Sequence, residues 1–193
     1  MSYEGADDDE RECLERARNG DTRAFESLVK RHQKPVYGLA MRMLRDHDDA
    51  DDIAQRTFLR AWDHLEDFEG RCAFRSWLFR ICMNLCRNHH RDRARFVDTA
   101  NPPELVEEAV GAGRLEREEV LDRLRDAVAT LPPKQRATVE MRVYQGLPFK
   151  EIAAALDTTE NSSKVSFHLA VKSLKARLGD LVRRLAGGEE ALP

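Results

Sequence analysis

Between Phe74 and Arg91 the chain carries two side-chain stripes with different chemistry. Phe74, Leu78, Ile81 and Leu85 recur at the spacing of a core-facing helix. Arg80, Asn84, Arg87 and Arg91 recur on a second stripe, roughly a third of a turn away. Guanidinium groups suit phosphates and an asparagine amide suits a base edge, so this stripe has the chemistry of a nucleic-acid surface. A solvated basic face is the plain alternative. Cys82, Cys86 and His89 share one side of the same helix, and two thiolates with an imidazole can hold zinc, with Cys72 or His90 as a fourth ligand. The spacing is not that of a CxxC knuckle, so the expectation is buried free thiols, with no metal and no cofactor.

The elements that must position these residues are helical. The 193-residue chain is 41% hydrophobic, 35% charged and only 7% aromatic, with little strand-type alternation, which points to an all-α protein. Net charge is −3, but it is segregated: seven arginines face a single acid between Arg71 and Arg95. Acids cluster instead at Asp7–Glu10 and at Asp46, Asp48, Asp49, Asp51 and Asp52, so partners of opposite charge are expected at different places. No apolar run approaches 18 residues and no signal-peptide pattern opens the chain, which predicts a soluble cytoplasmic protein without membrane contact of its own. No glycine-rich phosphate loop, HExxH or nucleophile signature is present, so no enzyme is expected.

Helices are predicted over Glu10–Arg18, from an Asp21 N-cap to about Leu44, over Asp48–Leu65 and over Ala73–Arg93. Pro35 predicts a kink or break in the second. Ile53, Phe58, Leu59 and Trp62 are core candidates of the third. The pattern lapses from Phe96 to Gly113, which predicts a flexible linker between two helical domains, 1–95 and 114–193. Further helices follow over Leu115–Thr130 and Lys134–Tyr144. Then come a short helix at Pro148–Leu156, a polar turn and a long helix over Asn161–Leu185, a helix-turn-helix pattern. The chain stops soon after, so no appended sensor domain is expected.

In order and residue type the two halves resemble bacterial RNA polymerase sigma factors of the extracytoplasmic-function group of the sigma-70 family. The first half carries the resemblance in Ala24–Val29, Asp48–Trp62 and Phe74–Ile81 with Asn84, the second in Leu131-Pro132 and Gly146–Ala153 through Lys175. The resemblance implies a transcription initiation factor with three partners: core RNA polymerase, promoter DNA and an anti-sigma factor. Asp51, Asp52, Gln55 and Phe58 would dock on polymerase, and Arg56 stands there in place of a usual acid. The loop Phe68–Ala73 would pocket an unpaired −10 base, Gly70 allowing close backbone approach and Phe68 stacking or walling it. Arg71 belongs to the same loop. Asn84 and Asn88 would read −10 bases, and Arg80, Arg87 and Arg91 would hold phosphates. Trp77 is open between core packing and stacking on DNA. Lys164, Ser166, His168 and Lys172 would contact the −35 duplex. Ser163 replaces a usual apolar residue, and this chain has Ser166, Leu169 and Val171 near where the family commonly carries arginines. An ordinary helix-turn-helix regulator acting without polymerase is the alternative; it explains only the second half.

Overall fold

The structure, a computed structural model, describes the backbone of residues 7–96 and 122–187 and the side chains of 7–93 and 122–179. Every regular element among the described residues is helical: α1 (Asp8–Arg18), α2 (Thr22–Leu44), α3 (His47–Asp63), a 3-10 turn (Leu65–Asp67), α4 (Phe74–Phe96), α5 (122–129), α6 (Pro133–Val139), α7 (Phe149–Ala155) and α8 (Glu160–Gly187). Three helices begin on an aspartate that satisfies otherwise orphaned backbone donors. Asp7 accepts from the Glu10 N–H at 2.8 Å, Asp21 from Arg23 and Ala24 at 2.9 and 3.1 Å, and Asp46 from Asp49 at 3.0 Å. Helix α2 ends where Arg45 turns left-handed, at φ 61°.

The break expected at Pro35 does not occur. The proline removes one backbone donor, yet α2 continues to Leu44. His32, Val36, Leu39, Ala40 and Met43 are buried on both sides of it, and that packing outweighs a local defect. Leu59, expected in the core, is instead 65% exposed. The helix expected to run to Tyr144 changes after Val139 into a five-residue π turn, Glu140–Tyr144. Residues 97–113 of the expected linker, and 115–121 of the helix expected after it, lie outside the described residues.

Helices α1 to α4 surround a core that includes Leu14, Leu28, Leu39, Ile53, Phe74 and Leu78. That core does not stop at the first half. Ala137, Met141, Leu147, Ile152 and Leu156 continue the same buried cluster, with α7 packed along α4. A smaller cluster of Val128, Leu131, Val139 and Ala170 seats α8. Polar contacts line the junction. The Ser76 hydroxyl donates to Glu151 at 2.6 Å, Arg75 to the Gln145 carbonyl at 3.0 Å and Arg136 to the Met43 carbonyl at 3.1 Å.

Glu140, 3% exposed, sits at the centre of that junction. Burial pushes its carboxyl above the usual carboxylate range, against the pull of Arg42 and Arg136. The Arg42 Nε lies 2.6 Å from Glu140 Oε2 but is not aimed along a hydrogen bond, so this is an ion pair held by charge. The Arg42 guanidinium also lies over the Tyr144 ring, 4.6 Å from its centre. Glu140→Ala is expected to cost about 3 kcal/mol, the low end for breaking a buried pair because Arg42 is one-third exposed. Chemical denaturation of the variant against the parent measures it.

Candidate nucleic-acid interface

Helix α4 points its core stripe inward and its polar stripe outward. Phe74, Leu78 and Leu85 are buried, while Arg80, Asn84, Arg87 and Arg91 are exposed and Asn88 is half-buried. Arg87 reaches the Asn84 amide oxygen only at 3.5 Å, too long to occupy that amide strongly. Arg80 lies 3.8 Å from Asp157, and Arg91 3.9 Å from Asp92. The stripe therefore presents cations and amides largely uncommitted to one another, with Arg80 turned toward Asp157 of the second half.

The loop before α4 is shaped by Gly70, which is buried with φ +73°, a conformation glycine adopts without strain. Arg71 pairs with Glu69. Of the two roles open to Phe68, stacking on a base or walling the pocket, its burial suits the second: it is 2% exposed and packs against Phe74 and Trp77, ring centres 5.4 and 5.1 Å away. An aromatic ring already enclosed by two others can floor a pocket but cannot reach a base from the surface. Trp77 is half-buried in the same aromatic group. Sequence reasoning missed Arg18 altogether. From the last turn of α1 it donates to the Glu66 and Phe68 carbonyls at 3.1 and 3.2 Å, tying the loop's first strand of backbone to the N-terminal helix. Only the fold brings residues 48 and 50 positions apart together, so no local signal marks them.

The acidic run divides its labour. Asp46 caps α3, and Asp49 meets His89 and Arg93 of α4 at 3.0 and 3.2 Å. Asp51 and Asp52 remain exposed; Asp51 accepts from Gln55 at 2.7 Å and Asp52 pairs with Arg56 at 3.0 Å. Beside them, α2 and α3 enclose an open groove of about 770 Å³ lined by Phe25, Val29, Tyr37, Phe58, Leu59 and Trp62. Acids along one lip and exposed leucine within it suit an apolar helix with a basic flank.

Cys82 and Cys86 are fully buried. The neighbouring Cys86 sulfur and burial hold the Cys82 thiol well above its ordinary range, so the thiol stays protonated and unreactive. His89 is turned to Asp49. Among the described residues no group of three or more His, Cys, Asp or Glu side chains could hold a metal ion.

In the second half, α7 and α8 are joined by a turn with Asp157 at φ 52°, and Thr159 starts α8 by accepting from the Ser162 N–H at 3.1 Å. Lys164, His168 and Lys172 are exposed along α8, and Ser166 is half-buried to one side. Lys164 pairs with Glu160 at 2.7 Å across exposed surface, a contact weak enough to exchange for a phosphate or base. Lys164→Ala is expected to weaken binding to a −35 duplex by about 1–3 kcal/mol if the lysine meets a base edge, as read by holoenzyme gel shift. Ser163 is fully buried and its hydroxyl has no hydrogen-bond partner among the described residues. Ser163→Ala is therefore expected to stabilise the protein by about 1 kcal/mol, seen as a raised Tm.

These features define an all-α, DNA-binding protein: a helix-turn-helix half packed against a half that carries a basic, amide-bearing helix and a separate, largely apolar groove with Asp51 at its edge. Residues 28–96 match the family model for sigma-70 region 2, and residues 121–174 that for sigma-70 region 4. The RNA polymerase sigma-H factor of Pseudomonas aeruginosa is 29% identical over 185 residues, covering 90% of this chain and 96% of that protein. The ECF RNA polymerase sigma-E factor of Escherichia coli K12 is 28% identical over 187 residues, covering 89% and 95%. Among solved structures, CnrH in complex with the cytosolic domain of CnrY matches with a TM-score of 0.69 and 29% identity, over 90% of this chain and 99% of that one. The sigma factor RpoE of Bartonella quintana, solved with the anti-sigma factor NepR, shares the fold at a TM-score of 0.67 and 22% identity, over 80% and 96%. The chain belongs to the sigma-70 family, in its extracytoplasmic-function group. It is an initiation factor that works with RNA polymerase at promoters, in a family that is not itself catalytic.

Proposed function

We propose that this chain docks on core polymerase through the α2–α3 groove, captures and melts the −10 element with the Phe68–Ala73 loop and the α4 stripe, and reads the −35 duplex with α8. Asp51, Asp52, Gln55 and Phe58 face the polymerase, with Leu59 added as the exposed apolar anchor. Asn84 and Asn88 read bases; Arg71, Arg80, Arg87 and Arg91 hold phosphates; Gly70 lets the backbone close on the extruded base above Phe68. Lys164, His168 and Lys172 face the −35 element, with Ser166 at the margin. The protein acts in the cytoplasm; no helix among the described residues is long and apolar enough to cross a membrane. The observation that carries the reading is the open Asn84 amide flanked by arginines on a helix whose opposite stripe is locked in the core.

The packed halves cannot serve both promoter elements at once. Elements about 25 base pairs apart lie about 85 Å apart at ~3.4 Å per pair. A 193-residue globule has a radius of gyration of only about 16 Å. The halves must part on engagement, and the 25 residues of 97–121 can reach about 85 Å when extended. Anti-sigma control acts through the same joint. A partner that holds the halves together keeps Arg75, Ser76 and Arg80 committed to Gln145, Glu151 and Asp157. Reconstitution with core polymerase and transcription from a randomised promoter library tests the reading. Selection of a paired −35/−10 motif is the expected result. Tight binding to one DNA site without polymerase would favour the autonomous regulator instead.

A further inference from the structure

Five large apolar residues are exposed among the described residues: Leu59, Val143, Tyr144, Val165 and Leu169. Leu59 lines the α2–α3 groove, and Tyr144 carries the Arg42 guanidinium. Val165 and Leu169, 50% and 46% exposed, stand one turn apart on α8 with no such account. Their orientation is fixed from behind, because Ser163 and Ala170 are fully buried and Phe167 and Leu174 pack on the second core cluster. At about 100° per residue the outward face runs from Lys164 at one edge, through His168, Asn161 and Lys172, to Val165 and then Leu169 at the other. A cationic and polar column thus lies beside an apolar one on the helix that enters the groove.

We propose that Val165 and Leu169 read thymine, packing on C5-methyl groups in the major groove of the −35 element. This rests on the −35 reading given above. The major groove presents one apolar feature, the thymine methyl, and an aliphatic side chain distinguishes it from cytosine without a hydrogen bond. Lys164 and Lys172 supply the charge complementarity that brings this face against DNA rather than against an apolar protein surface.

The test uses the full chain with core polymerase and the −35 sequence selected from the library. Each thymine of that sequence is replaced singly by deoxyuridine, which lacks only the methyl group, and holoenzyme binding is measured. At one or two positions uracil should weaken the wild type about fourfold, the equivalent of ~0.8 kcal/mol for one buried methyl. Val165→Ala and Leu169→Ala should each be weakened to a similar degree on the thymine promoter and become indifferent to uracil at their own position. Both side chains are exposed, so Tm should stay unchanged, which separates lost contact from lost folding. Uracil tolerated at every position, or alanine variants that keep the full uracil penalty, would overturn the assignment. A library that returns no −35 preference would instead remove the −35 reading beneath it.

Discussion

Leu59→Glu is expected to raise the Kd for core polymerase by about 30-fold or more, with little loss of fold stability. Leu59 is the most exposed large apolar side chain among the described residues and stands in a groove walled by Phe25, Phe58 and Trp62. An anchor of that kind, central in a desolvated patch, typically contributes about 2 kcal/mol or more. A glutamate there keeps helix propensity but places an unpaired charge where the partner must exclude water. Fluorescence anisotropy of the labelled protein against core polymerase reads the change. Reversal of Asp51 and Asp52 to lysine should act differently. Those acids sit on the rim, so the expected effect is a slower association with strong salt dependence. Asp52 is already shared with Arg56, and Asp51 is bonded to Gln55, so each surrenders an internal contact on docking. Equal affinity of Leu59→Glu and the parent would refute the groove as the docking site.

Asn84→Ala is expected to lower promoter opening by about 5- to 150-fold, as a base contact of about 1–3 kcal/mol requires, while core affinity stays unchanged. The amide is exposed and not strongly engaged, so its removal should leave no buried group unsatisfied and the Tm should hold. Permanganate footprinting of the −10 strand reads opening directly. Arg87→Ala should weaken binding evenly across −10 sequences and reduce its salt dependence, since a phosphate contact carries no sequence information. The loss of preference in one variant and of uniform affinity in the other distinguishes a reader from an anchor. Normal opening by Asn84→Ala would return the α4 stripe to a solvated basic face.

Residue type and spacing by themselves determined the helical class, the two-sidedness of α4 and the helix-turn-helix. The reason is local: apolar periodicity selects which side of a helix is buried, and aspartate before an apolar run starts it, as at Asp21 and Asp46. Tertiary structure alone decided three further matters. It carried α2 through Pro35, because burial on both sides of the proline outweighs one missing donor. It enclosed Phe68 between Phe74 and Trp77 while leaving Leu59 outside, since which side of a short amphipathic stretch is covered depends on the neighbour that arrives there. And it joined the two halves around Glu140. Contacts such as Arg42 to Glu140, Ser76 to Glu151 and Arg18 to Phe68 span tens of positions, and their signs and shapes become visible only when the chain has brought them within reach.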